Sequence, residues 1–199
     1  MIFLYSGTPG SGKSLHVARV IRDHLKWSAG LVIVNFPINK EGLGKYRGEL
    51  IVSDNETIDK TFLEFHSKRW YEKHKFKEGG IILVLDEAQM LFNSRDWSKN
   101  GRQEWIEFFT IHRHLGIDVY LVAQFDRMLD RQIRCLLEYE YIHRKVSNFG
   151  WRGMLLSAFA GGKLFCCVKL WYPMKEQIGY EYFKCHKKYY KLYDTYQKF

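Results

Sequence analysis

No apolar run in this 199-residue chain approaches the roughly 18 residues needed to span a bilayer; the longest, such as IILVL and MLLSAFA, stop well short. That excludes a membrane-crossing helix within these residues. The N-terminal apolar stretch is short, lacks a basic leader and runs straight into a glycine loop, so no secretory signal peptide is read there. Cysteine is sparse: Cys135, Cys166, Cys167 and Cys185 have neither a paired metal-ligand spacing nor the density of a disulfide scaffold. They read as reduced thiols of a cytosolic protein, with Cys166 and Cys167 structural members of an apolar run. Neither internal repeats nor low-complexity segments occur. Acidic residues are outnumbered, 22 against 31 basic, and the net charge of +9 suits contact with nucleic acid or with an anionic membrane surface without choosing between them. Two basic stretches stand out, Lys68, Arg69, Lys73, Lys75 and Lys77, then Lys184, Lys187, Lys188, Lys191 and Lys198 among Tyr and Phe. Both also fit ordinary solvated faces.

What is present is core material for one domain: 46% hydrophobic residues over a length typical of a single globular unit. Ile2 to Tyr5 reads as a strand, and Leu15, Ala18, Ile21 and Leu25 mark one face of a helix ending before Gly30. Leu31 to Val34 is a second strand. A polar stretch with Pro37, Gly42, Gly44 and Gly48 leads to a helical segment near Ile58 to Lys73. IILVLDEA, apolar on both faces, is expected to be a buried parallel strand. A helix around Gln103 to Leu115 precedes the buried strand VYLVAQ, and EYEYIHRKV is a further strand. LLSAFA, Gly161, Gly162 and KLFCCVKLWY read as a hairpin closed by a Gly-Gly turn. Alternating strands and helices predict an α/β three-layer sandwich with a mainly parallel central sheet and a C-terminal β-hairpin, and GTPGSGKS after the first strand makes it the P-loop NTPase type. Residues 1–146 form the nucleotide-binding core, and 147–199 the hairpin and a basic, aromatic tail.

Between the first strand and first helix lies GTPGSGKS, Gly7 to Ser14, which fits GxxxxGK[ST] in its required strand–loop–helix context. Glycines let the backbone curl so that successive N–H groups face phosphate, and the helix starting near Lys13 adds its positive end. The nucleotide-binding residues read here are Gly7, Thr8, Pro9, Gly10, Ser11, Gly12, Lys13, Ser14 and Leu15. Lys13 is expected at the β- and γ-phosphates and the Ser14 hydroxyl on Mg²⁺. LVLDE then delivers Asp86 to the carboxyl end of a strand, where ligands bind in parallel sheets. Asp86 is the second metal residue, and Glu87 is placed to deprotonate an attacking water. The adjacent acidic pair, on about the third strand, points to an ATPase with a catalytic glutamate. The only guanine-reading candidate, Asn39-Lys40-Glu41-Gly42, lacks the needed Asp and comes too early, so ATP is the expected nucleotide. Gln124, closing VYLVAQ, is expected between the acidic pair and the γ-phosphate. His112 and His114, two apart on a helix, cannot chelate together.

With GTPGSGKS and LVLDEAQ, the segments FNSR, HRHLGIDVYLVAQ, RQIR and YKLYDTY resemble the zonular occludens toxin (Zot) family nearly from end to end. The resemblance implies an ATPase that filamentous phages use to assemble and extrude virions, working on the cytoplasmic face of the bacterial inner membrane. It further implies a transmembrane helix and a periplasmic segment after this domain, so that Phe199 marks a truncation or a shortened member. Arg95, Arg113 and Gln124 stand where the family has its arginines and glutamine. Ring ATPases often complete a site with a neighbour's arginine, so a homo-oligomeric ring is expected, with Arg95 or Arg113 reaching phosphate in cis or across an interface. Arg127, Arg131 and Arg134 fit DNA or subunit contact better. Candidate partners are a phage single-stranded DNA–protein complex or coat and assembly proteins. Two other readings stay open: a small-molecule P-loop kinase, and a nucleotide-binding interaction or toxin module without turnover.

Overall fold

The computed structural model describes residues 1–93, 101–161 and 164–184, together with Tyr189 and Leu192. In chain order the elements are β1 (Ile2–Ser6), α1 (Lys13–Asp23), β2 (Leu31–Val34), α2 (Lys40–Leu43), β3 (Glu49–Val52), α3 (Lys60–Tyr71) and β4 (Ile81–Leu85). There follow α4 (Arg102–Ile111), β5 (Ile117–Val122), α5 (Arg131–Leu136), β6 (Tyr139–Lys145), α6 (Gly150–Phe159), β7 (Leu164–Trp171) and β8 (Glu176–Lys184). All eight strands join one sheet in the order β3-β2-β4-β5-β1-β6-β7-β8. The first six are mutually parallel, and β7 and β8 add an antiparallel pair.

Parallel strands need both faces covered, and their sequences are apolar on both. Tyr5, Val32, Val34, Ile82 and Val84 pack under α1, whose Leu15, Val17, Ala18 and Ile21 are buried. On the other face Leu4, Ile33, Leu83, Leu85 and Leu121 meet Leu63 and Trp70 of α3 and Trp105, Phe108 and Phe109 of α4. The result is the helix–sheet–helix sandwich of P-loop NTPases.

Three readings of the chain are corrected. The polar stretch after Pro37 contains β3, a four-residue edge strand that is only part-buried, so Asp86 follows the fourth strand in chain order rather than the third. LLSAFA is helical, belonging to α6, and the C-terminal hairpin is instead β7–β8, closed by Tyr172–Lys175 with Lys175 at φ 53°. The reason is an inverted pattern: α6 turns small Gly153 and Ser157 inward and leaves its large apolar residues outside. A Cβ on Gly153 would sit 2.2 Å from the Val146 carbonyl oxygen, so the helix can approach this closely only through glycine. Finally, α4 ends at Ile111, which leaves Arg113 in the turn beyond it.

Candidate nucleotide and metal site

Register brings the tips of three strands together. Tyr5 pairs with Val122 on β5, and Leu121 pairs in turn with Leu85 on β4. The residues that follow, Gly7, Gln124 and the Asp86–Glu87 pair, therefore emerge side by side at the carboxyl end of the sheet, with β5 inserted between β1 and β4. One direct bond fixes this: the Gly7 N–H donates to the Gln124 carbonyl at 3.0 Å.

The loop itself requires its glycines. Gly7 has φ 138°, and a Cβ there would lie 2.5 Å from the His143 carbonyl oxygen; Gly12, at φ 98°, would push a Cβ to 2.7 Å from the Phe165 ring. Thr8, Pro9 and Gly10 form the exposed crown of the loop, Ser14 is half-buried, and Leu15 is anchored in the core. Lys13 folds back, its Nζ donating to the Gly7 carbonyl at 2.6 Å and the Thr8 carbonyl at 3.2 Å. Burial lowers its pKa, while the charges of Asp86 and Glu87 oppose that shift. The Ser11 hydroxyl is buried without a hydrogen-bond partner among the described residues. A loop in which Gly7 and Gly12 leave no room for a Cβ, with an orphaned hydroxyl and an ammonium resting on loop carbonyls, fits a phosphate chain.

Asp86 is 9% exposed, and burial pushes its carboxyl up to about 6, opposed first by a hydrogen bond from the Glu87 backbone and also by the charge of Lys13, while the Glu87 carboxylate adds a smaller rise. A divalent cation beside it would favour the ionised form, so Asp86 and the Ser14 hydroxyl are a chemically fitting donor pair for Mg²⁺. Glu87 adopts a left-handed backbone, φ 47° and ψ 44°, which breaks the chain out of β4, and its carboxylate accepts a hydrogen bond from Gln89 Nε2.

Asn35, at the tip of β2, was not singled out in the sequence. Its Oδ1 accepts the Asp86 N–H at 2.7 Å, and its Nδ2 donates to the Asp86 carbonyl at 3.0 Å and to Asn55 Oδ1 at 2.7 Å. It clamps both backbone groups of the metal-site aspartate. Asn35→Ala is expected to cost about 1–3 kcal/mol of stability through the buried groups left unpaired. If Asp86 serves nucleotide hydrolysis, phosphate release should also fall by about 10- to 100-fold through loss of alignment. Thermal melts and phosphate-release rates measured together check this, and wild-type turnover would remove the positioning role.

Two further networks support the loop from below. His16 Nδ1 and His143 Nε2 lie 2.9 Å apart, and His143 Nδ1 is 2.8 Å from the Tyr141 carbonyl and 3.2 Å from that of Ser6. Because carbonyls accept, His143 carries its proton on Nδ1, and His16 donates from Nδ1 to His143 Nε2. Both rings are then neutral, and burial lowers their pKa values to about 4 and about 3. Cys167 Sγ completes a tight buried cluster, but nitrogens sharing one zinc ion stand about 3.3 Å apart, so 2.9 Å is the spacing of a shared proton. On the other face, buried Glu140 accepts from Ser6 Oγ at 2.7 Å and Lys175 Nζ at 3.1 Å, and Lys175 also donates to Asp126 at 3.2 Å. The hairpin turn is thereby tied to the end of β1 and to the segment after Gln124. A cavity of about 700 Å³ opens there, lined by Gly7, Gln124, Phe125, Arg144 and Phe149 among others.

The remaining site residues lie elsewhere. Arg113 ion-pairs with Glu138, whose carboxylate also accepts the Ile2 N–H at 3.1 Å. That is the start of β1, a strand's length of roughly 13–17 Å from the loop at its end. Arg113 therefore cannot serve the phosphate site of its own chain. Arg95 lies outside the described residues, as does Cys185; Cys135, Cys166 and Cys167 are free thiols. His112 Nδ1 donates to the Phe109 carbonyl at 2.6 Å. Among the described residues, no helix is long and apolar enough to cross a membrane.

Comparison with known proteins agrees with this architecture. The chain is 31% identical over 173 residues to the Gene 1 protein of Enterobacteria phage I2-2, an alignment covering 82% of this chain and 46% of that one. It thus spans about half the length of the curated relatives it matches. The N-terminal domain of zonular occludens toxin from Neisseria meningitidis superposes with a TM-score of 0.57 at 21% identity, covering 97% of this chain and 98% of that one. The genome packaging NTPase B204 of Sulfolobus turreted icosahedral virus 2, in complex with AMPPCP, gives 0.55 at 16% identity over 92% and 96%. At those identities the likeness establishes the fold. A family profile described as zonular occludens toxin (Zot) matches residues 1–198, and the chain belongs to that family.

Proposed function

We propose that this domain binds and hydrolyses Mg·ATP to drive assembly and extrusion of filamentous phage at the cytoplasmic face of the bacterial inner membrane. The observation that carries the hydrolytic part is the acidic pair Asp86–Glu87 at the tip of β4, one strand removed from the loop and felt electrostatically by Lys13. The phage setting draws on the Gene 1 protein relatives, and the nucleotide on the AMPPCP complex of B204.

In this reading the backbone N–H groups of Gly7–Ser14 hold the phosphates. Lys13 exchanges the Gly7 and Thr8 carbonyls for β- and γ-phosphate oxygens. Ser14 and Asp86 hold Mg²⁺, which supplies charge neutralisation for the phosphate chain when bound. Glu87 takes the proton of the attacking water, and Gln124 orients that water beside it. The arginine that completes the site comes from a neighbouring subunit in a ring. Arg113 can act only in that way, and Arg95 is the second candidate.

The test is phosphate release from ATP without any acceptor, measured against protein concentration. The specific rate is expected to rise steeply with concentration, because an arginine supplied in trans is worth on the order of 10³- to 10⁵-fold. Lys13→Ala should lose the activity at every concentration. Release that depends on an added small-molecule acceptor would replace hydrolysis with a kinase reaction. A flat specific rate would remove the shared site.

A further inference from the structure

The α6 helix carries the most unusual surface of the chain. Phe159 is 89% exposed, Trp151 68%, Met154 63% and Leu156 60%, with Leu155 and Phe149 about half exposed. Its two inward residues are Gly153 and Ser157. A helix kept for the core would do the reverse, so these large side chains are retained outside for something to cover them.

The charge around the helix says what that is. Residues 141–175 contain no Asp or Glu, yet include Arg144, Lys145, Arg152, Lys163, Lys169 and Lys175. Lys169 and Lys175 are engaged by Glu181 and by Asp126 and Glu140. Arg144, Lys145 and Arg152 pair with no carboxylate among the described residues, and the Arg152 guanidinium lies 5.4 Å from the Trp151 ring centre. We propose that α6 docks on an anionic lipid surface, with Trp151, Leu155, Leu156 and Phe159 in the headgroup–acyl boundary and Arg144, Lys145 and Arg152 on the headgroups.

Three arguments favour lipid over other occupants. A two-fold contact with a second copy would set this cation-bearing segment against itself, bringing like charges together, and a head-to-tail ring contact is the outcome that the sedimentation experiment reads. Nucleic acid has no use for exposed Met154, Leu155 and Leu156, because bases stack on aromatic and guanidinium planes rather than on aliphatic chains. An exposed aromatic and aliphatic helix within a stretch of chain that carries cations and no acidic residue matches the membrane interface, where Trp lies at headgroup level and Lys and Arg meet anionic phosphates. Ten helical residues are about 15 Å long, half the hydrocarbon thickness, so α6 lies along the surface. Phe149, which leads into the helix, lines the cavity beside Gly7 and Gln124, so docking would turn the phosphate-loop edge of the sheet towards the bilayer.

This inference shares its membrane setting with the proposed function but requires no turnover, so the experiment omits nucleotide and its failure is separable from a failed ATPase assay. The 199-residue chain is floated with vesicles of phosphatidylcholine alone or with about one-third phosphatidylglycerol. Binding is expected to the anionic vesicles, weakened by high salt and slight on the neutral ones. The double variant Leu155→Glu, Phe159→Glu, with an unchanged melting curve, should reduce bound protein about tenfold or more, and Arg152→Glu should reduce it less. Absent vesicle binding, or binding indifferent to the double variant, overturns the proposal. So does sedimentation showing an oligomer that the double variant dissolves while no vesicle binding is seen, since a second copy would then cover α6.

Discussion

Glu87→Gln is expected to lower the turnover number for ATP hydrolysis by about 10²- to 10⁴-fold while leaving nucleotide binding nearly intact. The substitution is isosteric and keeps the side chain that accepts from Gln89 Nε2, but an amide cannot take a proton from water. Asp86 and Ser14 remain for the cation, and the glycine cradle is untouched, so the ground-state complex should survive. Lys13→Ala acts differently: it removes the ammonium that rests on the Gly7 and Thr8 carbonyls, so binding and turnover should fall together. Steady-state phosphate release and equilibrium binding of a fluorescent ATP analogue separate the two patterns. Turnover unchanged in Glu87→Gln would remove the general-base assignment and with it the hydrolytic reading of the acidic pair.

How far such a site is legible in a sequence depends on how local its chemistry is. GTPGSGKS can be read because phosphate binding uses contiguous backbone N–H groups and the first turn of the next helix. LVLDE can be read because a buried parallel strand is an apolar run, and the residues after it emerge at the carboxyl end of the sheet. Asn35 could not be read in the same way, since it serves the backbone of Asp86 from 51 residues away and looks like any polar strand end. Arg113 shows the opposite hazard. It is close in sequence to the Gln124 strand, but β5 carries the chain from one end of the parallel strands to the other in between. The α6 helix was mistaken for a strand because hydrophobic periodicity assumes that large apolar residues face inward, and there they do not. The edge strand β3 escaped because it is short and only part-buried.

Acidification should destabilise this protein through two histidines that no motif points to. In the folded chain His16 and His143 are neutral, sharing one proton between Nδ1 and Nε2, with pKa values lowered by burial to about 4 and about 3. In the unfolded chain both return to about 6.5. Above that value neither state binds a proton there, and the pair's contribution to stability is fully present. As pH falls below it, the unfolded chain takes up two protons that the folded chain refuses, so stability declines towards the folded values. Asp86 works in the other direction: its folded pKa of about 6 lies above the unfolded value, so its protonation below pH 6 returns part of the loss. The net decline from these three groups between pH 7 and 5 is on the order of 2–3 kcal/mol, a large share of the 5–15 kcal/mol typical of a domain, and His24, His66 and His112, whose pKa values burial also lowers, act in the same direction. Urea unfolding at several pH values measures it directly. Replacing both rings, His16→Gln with His143→Gln, should lower stability at pH 7 but flatten its dependence on pH, whereas Asp86→Asn should steepen it. An unchanged slope in the double histidine variant would place the acid sensitivity in other groups. The opposite responses of the two variants distinguish a proton excluded from the histidine pair from one captured at Asp86.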